Sequence, residues 1–137
     1  MSFRDAVRTC LGNYANFNGR ARRSEFWWFY LFTALVGLAA YVVYLILFGI
    51  AAALGDSSLA AIFTVLAFIW VLVIIVISIG LYIPTLAVGS RRLHDYGMSG
   101  WLQLLLLVPC ASIVLIVLWA LAGTQGPNQY GPEPTRM

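Results

Sequence analysis

The chain has 137 residues, 62% of them hydrophobic and 9% charged, with a formal net charge of +3. A soluble domain is about 45–50% apolar and about 25% charged, so composition excludes a soluble globular domain, a disordered chain and a DNA-binding module. Residues 26–55, 57–90 and 96–132 carry no charge at all, and together they account for 101 of the 137 positions. Three such blocks predict an all-α fold class: a polytopic integral membrane protein with an N-terminal amphipathic surface helix and three transmembrane helices. The chain is expected to form a single membrane domain over 1–137. Its parts are an interfacial helix over 2–15, transmembrane helices over 26–54, 59–89 and 101–122, and an exposed tail over 123–137.

The first element has apolar residues at Phe3, Ala6, Val7, Cys10, Leu11 and Tyr14, and Arg4, Asp5, Arg8 and Asn13 between them. This spacing marks one apolar face of a helix that is too short and polar to span, so it is expected to lie on the membrane surface or against the bundle. Asn16–Gly19 form a turn. The first span, Phe26–Leu54, starts with Trp27, Trp28 and Tyr30, which suit an interfacial aromatic belt. Its apolar run is too long for the core of a cleavable signal peptide, so it is expected to stay as an anchor. Gly55–Ser58 is a tight polar turn.

The second span changes character after Ile77, with Ser78, Gly80, Pro84, Thr85, Gly89 and Ser90. Pro84 cannot donate to the carbonyl of Gly80, so a kink is expected there, as packing or beside a solute path. Residues 91–100 form a polar connection. The third span carries Pro109 near its middle and should bend there. A re-entrant hairpin is the alternative, but its halves would be too short to cross alone. The Gly- and Pro-rich tail reads as extended.

All eight basic residues are Arg. With three spans, Arg4, Arg8, Arg20, Arg22, Arg23, Arg91 and Arg92 share one side and Arg136 lies opposite. The positive-inside rule puts the seven, and the N-terminus, in the cytoplasm. The C-terminus is then periplasmic or extracellular, on the side of Asp56 and Glu133. Cys10 and Cys110 fall at different depths, so no disulfide is expected, and each is taken as a small hydrophobe.

The candidate site combines Arg20, Arg22, Arg23 and Glu25 with Arg91, Arg92, His94 and Asp95. An antiparallel hairpin of the first two spans brings the end of the second back to the start of the first. Glu25 can pair with Arg91 or Arg92, and Asp95 with Arg22 or Arg23. Five Arg against two carboxylates leave positive charge for anionic headgroups or a phosphate or carboxylate ligand. No metal, cofactor or catalytic residue is assigned: His94 lacks other ligands at metal spacing, and neither a nucleophile elbow nor a phosphate-cradling glycine loop occurs. Small-residue pairs at Gly49–Ala53 and Ala51–Gly55 permit helix contact within or between chains.

Three segments add a resemblance. GRARRSEFWWF (Gly19–Phe29), RRLHDYGMSGW (Arg91–Trp101) and GTQGPNQYGPEP (Gly123–Pro134) resemble the hallmark motifs of a bacterial inner-membrane family, domain of unknown function 805. The motifs occur in the expected order from about Tyr14 to Pro134. The resemblance implies a polytopic inner-membrane protein and brings no activity or substrate. Its polar signature falls on Arg20, Arg23, Glu25, Trp27, Arg91, Arg92, His94, Asp95, Gly97, Ser99, Gly100 and Trp101. In the tail it falls on Gly123, Gly126, Asn128, Tyr130, Gly131 and Pro134.

The leading functional expectation is a non-enzymatic interaction, assembly or lipid-associated module with an Arg-rich cytoplasmic cap. Its partners would be anionic membrane lipids and a homo-oligomer or another membrane protein, with no nucleic acid. The alternatives are a small oligomeric channel or transporter lined by Gly80, Pro84 and Pro109, and a membrane enzyme acting on a lipid or phosphate through His94 and Asp95.

Overall fold

The computed structural model describes residues 1–134. The position expected for Arg136 lies outside the described residues. Among the described residues are four α-helices and one 3-10 helix: α1 (Phe3–Gly12), α2 (Arg23–Ala53), α3 (Ser58–Asp95), the 3-10 helix (Gly100–Leu107) and α4 (Ala111–Ala120). No strand is present among the described residues, apart from an isolated bridge between Asn128 and Gly131.

α1 begins with a capping box. The Asp5 amide donates to Ser2 Oγ at 3.2 Å, and the Ser2 amide donates to the Asp5 carboxylate at 3.3 Å. The two bonds satisfy donors that the first helical turn leaves open. The Ser2 hydroxyl, donating to the Asp5 carboxylate at 2.6 Å, and then the Ser2 amide hold the Asp5 carboxyl below its ordinary value of 3.8. Ala6 and Cys10 are buried while Arg4 and Arg8 are exposed.

α2 and α3 have 31 and 38 residues and are long and apolar enough to cross a membrane. At 1.5 Å per residue they measure about 46 Å and about 57 Å, against a hydrocarbon core of about 30 Å. α3 is helical without interruption through Gly80 and Pro84 and on through Arg91–Asp95, residues predicted as a loop. The polar connection is therefore shorter than predicted, and Arg92 and Asp95 come to lie one turn apart on one helix face.

The chain divides into two compact units, one of residues 32–81 and one of residues 1–31 with 82–137. The first consists of the adjoining stretches of α2 and α3. Gly55, at φ +60°, makes the turn, and Ser57 Oγ accepts the Ala60 amide at 3.1 Å to start α3. Ala40, Ala51, Ala60 and Ala67 are buried, because small side chains let helix backbones approach. Trp70 Nε1 donates to the Ala40 carbonyl across the pair at 2.8 Å. The outward residues are large and apolar: Phe68 is 64% exposed and Val76 is 69% exposed.

The second unit carries the arginines. Phe26, Phe29, Ala87, Val88, Leu93, Leu115 and Trp119 form its core. The continuous helix predicted over 101–122 does not form. The segment is a hairpin, the 3-10 helix leading up to Val108–Pro109–Cys110 and α4 returning. Pro109 supplies no amide to a helix, and Cys110 takes φ +69° to reverse the chain. Cys110 is accordingly exposed at the tip rather than buried. Both legs are tied to α3: Gln103 Nε2 donates to the Leu86 carbonyl at 2.9 Å, and Trp119 Nε1 to the Gly89 carbonyl at 3.2 Å. Gly89 fits between them, since a Cβ there would meet the Gln103 amide and the Trp119 ring at 3.2 and 3.3 Å.

The tail corrects a second prediction. It lies on the surface but is bound to the end of α3, with the Thr124 amide donating to the Asp95 carbonyl at 2.9 Å. Residues 123–134 therefore lie against the end of α3 and beside Arg20 rather than extended away from both. The Pro109 reversal is the physical reason, because it returns the chain to the end of α3 from which it left.

Candidate functional site

The two predicted clusters meet. The approach to α2 is pinned where the Ala21 amide donates to the Arg91 carbonyl at 3.0 Å, which sets Arg20 and Glu25 beside the last turn of α3. Two ion-paired centres result.

Asp95 is the first. One carboxylate oxygen accepts Arg20 Nε at 2.8 Å and the other accepts Arg92 Nη1. The Arg20 and Arg92 side chains are 1% and 0% exposed. The sequence suggests Arg22 or Arg23 as the partner of Asp95. Arg92 takes that place because α3 stays helical through Asp95, and Arg20 because it precedes α2 in an extended stretch that crosses the end of α3.

Each guanidinium also holds main chain. Arg20 donates to the carbonyls of Gly126 and Thr124, both at 2.7 Å. Arg92 donates to the carbonyls of Trp119, at 3.1 Å, and Leu121. The planar fork of Arg makes such simultaneous contacts possible where a lysine ammonium would not. Gly123 is required for this packing, because a Cβ there would overlap the Asp95 carboxylate.

The second centre is Glu25, which accepts Arg91 Nη1 at 2.8 Å with both side chains 6% exposed. Cys10 Sγ of α1 sits 3.7 Å from the same carboxylate. Burial, and then the negative charge of Glu25, push the Cys10 thiol up to about 12, so it stays protonated. Arg91 Nε and Nη2 are buried without a hydrogen-bond partner among the described residues.

His94 Nδ1 lies 3.1 Å from the Gly19 carbonyl, which only accepts, so Nδ1 carries the proton. Its ring stacks on Tyr130 with centroids 3.9 Å apart, and Asn128 Nδ2 donates to its carbonyl at 2.9 Å. Arg22 and Arg23 border a separate cavity of about 400 Å³ with Ser24, Asp95, Thr124 and Glu133. Arg23 is exposed, and no ion pair joins it to another described residue.

The network thus consists of two buried centres, Arg20–Asp95–Arg92 and Glu25–Arg91, with half-buried His94 and Arg22 and exposed Arg23 at its edge. Prediction missed Cys10, Trp119, Thr124 and Asn128 as its partners. The signal for the last two was the polar tail motif, which a far-side tail made unusable. Among the described residues no three His, Cys, Asp or Glu side chains group as metal ligands. Chemically, the network binds the tail, the hairpin and two helix ends together through charge-assisted hydrogen bonds.

A family profile described as Protein of unknown function (DUF805) matches residues 14–132, a range that holds the whole network except Cys10. The chain is similar to inner membrane protein YhaH of Escherichia coli K12, 37% identical over 129 residues, covering 90% of this chain and 91% of that protein. It is also similar to inner membrane protein YhaI of the same strain, 38% identical over 125 residues and covering 90% of each. No solved structure matches it.

Proposed function

The chain belongs to the DUF805 family of proteins of unknown function, and we propose that it is a multi-pass inner-membrane protein whose cap associates with anionic headgroups at the cytoplasmic face. Its role on this reading is non-enzymatic, as an interaction or assembly module. The inner-membrane setting is supported by the names of the relatives and by the apolar side chains that α2 and α3 turn outward. An aqueous surface does not tolerate apolar area of that extent. α2 and α3 are the two crossings. The 3-10 helix and α4, at rises of about 2.0 and about 1.5 Å per residue, extend about 16 and about 15 Å, half the hydrocarbon core each. They form a re-entrant hairpin, and residues on both sides of it, through Pro134, share the cytoplasmic side with the N-terminus.

The observation that carries the headgroup reading is a division among the arginines. Arg20, Arg91 and Arg92 are spent on internal ion pairs, whereas Arg4, Arg8 and Arg23 are exposed. Each exposed Arg near an anionic surface contributes about 1 kcal/mol of attraction. The test places the full chain in nanodiscs of phosphatidylcholine with brominated phosphatidylglycerol and reads lipid enrichment by tryptophan quenching. Phosphatidylglycerol should be enriched around the wild type and lose most of that enrichment in the Arg4→Gln, Arg8→Gln, Arg23→Gln triple variant, with thermal stability unchanged. Equal quenching in both proteins rejects the headgroup role.

A further inference from the structure

A groove of about 670 Å³ runs beside the last turns of α3, between that helix and the 3-10 helix. Its volume is that of a small-molecule site. We infer that it binds an uncharged, hydroxyl-bearing lipid of the monoacylglycerol kind. This goes beyond the anionic-headgroup reading and uses different residues.

The first argument is charge. None of the lining residues is Asp, Glu, Lys or Arg, although five arginines lie close by in the sequence and in the cap. An anionic head in this groove would meet no formal counter-charge and would lose its hydration. An uncharged head has no such cost.

The second is polar placement. Ser90 is 5% exposed and lines the groove, yet its Oγ has no hydrogen-bond partner among the described residues. His94 is oriented by its Nδ1–H bond to the Gly19 carbonyl, which leaves Nε2 as an acceptor. Ser90 Oγ and His94 Nε2 face the same point of main chain: a Cβ on Gly100 would overlap the first and lie 3.3 Å from the second. A glycine at 100 keeps both atoms beside the groove. One donor-acceptor hydroxyl and one acceptor nitrogen complement a hydroxyl head, whose O–H donates to Nε2 and whose oxygen accepts from Ser90.

The third is shape. From His94 the lining follows α3 through Leu86 to Tyr82, about 18 Å along the helix axis. The far wall is Leu104 and Leu107, and Leu107 is 78% exposed. The groove is polar at one end and apolar along its length, as a single acyl chain with a small head requires.

The experiment uses the full chain in detergent micelles and a monoacylglycerol carrying a diazirine in its acyl chain. Photolabelling should be saturable and map to peptides containing Tyr82–Leu86 and Trp101–Leu107. 1-Monooleoylglycerol should compete about tenfold better than phosphatidylglycerol, whose charge the lining leaves uncompensated, and Ser90→Ala should weaken labelling about tenfold, one hydrogen bond's worth. Leu104→Trp, a change at an exposed position that fills the groove, should abolish labelling without lowering the melting temperature. The triple arginine variant should label like the wild type, which separates this site from the headgroup interface. Labelling that does not saturate, that spreads along α2, that phosphatidylglycerol displaces as well as monooleoylglycerol, or that survives Leu104→Trp overturns the inference.

Discussion

The unit of residues 32–81 and the unit that carries the cap hold their parts together by different physics. In the first, the buried positions are Ala40, Ala51, Ala60 and Ala67, and Asp56 in the turn is the sole charge. Its helices meet through small side chains and close backbones, a contact made of many weak dispersion terms. In the second, the buried set includes Glu25, Arg91, Arg92 and Asp95. Those charges were taken out of water at a cost of several kcal/mol each, which a well-placed counter-charge offsets only while it is present. Adhesion in the first is spread over many atoms and tolerates a lost contact. Adhesion in the second is concentrated in two carboxylates and does not.

The strongest break of that comparison is Asp95→Asn. The amide keeps the shape and removes the charge shared by Arg20 and Arg92, both of which stay buried. Removing one partner of a buried pair costs about 3–5 kcal/mol. Thermal unfolding in detergent should report that loss, and the tail over 123–134 should become a protease target, since Asp95 anchors Arg20, which grips the tail at Thr124 and Gly126. A loss under about 1 kcal/mol with the tail still protected would falsify the view that charge concentration holds the cap.

Trp70→Phe is the matching change in the other unit. It removes the indole donor to the Ala40 carbonyl and keeps an aromatic ring in place. Helix-helix hydrogen bonds between membrane segments average about 0.6 kcal/mol, because the separated helices find other partners. The expected loss is of that size, measured by the same unfolding assay. A loss as large as that of Asp95→Asn would show that this unit also depends on a single polar link.

Much of the helical layout was legible in the sequence, because long charge-free blocks have few physical solutions. The meeting of Arg20–Glu25 with Arg91–Asp95 was legible too, since it needs only that α2 and α3 be antiparallel, and Glu25–Arg91 follows from it. The error lay at Pro109. One proline admits either a bend or a reversal, and 3.6-residue periodicity does not separate them when both flanks are uniformly apolar. The reversal depends on Gln103 and Trp119 reaching α3 main chain, a tertiary contact that no local pattern encodes. With the third segment taken as a crossing, the tail is placed away from the arginine clusters, and its contacts through Thr124, Asn128 and Tyr130 are not foreseen. The Asp95 partners were missed for a smaller reason: α3 was ended before Arg91, which hid the one-turn spacing of Arg92 and Asp95.

The mildest prediction sharpens the comparison, because it tests whether a neutral group shares the cap's sensitivity to charge. Cys10 is buried beside Glu25, and its thiol is raised from an ordinary 9.0 to about 12. The folded protein therefore holds this proton more tightly than the unfolded chain. Its contribution to stability is complete below pH 9.0 and falls as pH rises from there toward about 12. At the start of that window half of the unfolded thiols are ionised, and the loss is RT ln 2, about 0.4 kcal/mol. Cys10→Ala carries no proton, so its unfolding midpoint should lack the part of the alkaline decline that begins at this pH. Measuring both proteins between pH 7 and 10 isolates that part as their difference. Parallel curves would mean that the thiol ionises as readily in the cap as in the unfolded chain, and that Arg91 offsets both its burial and the charge of Glu25.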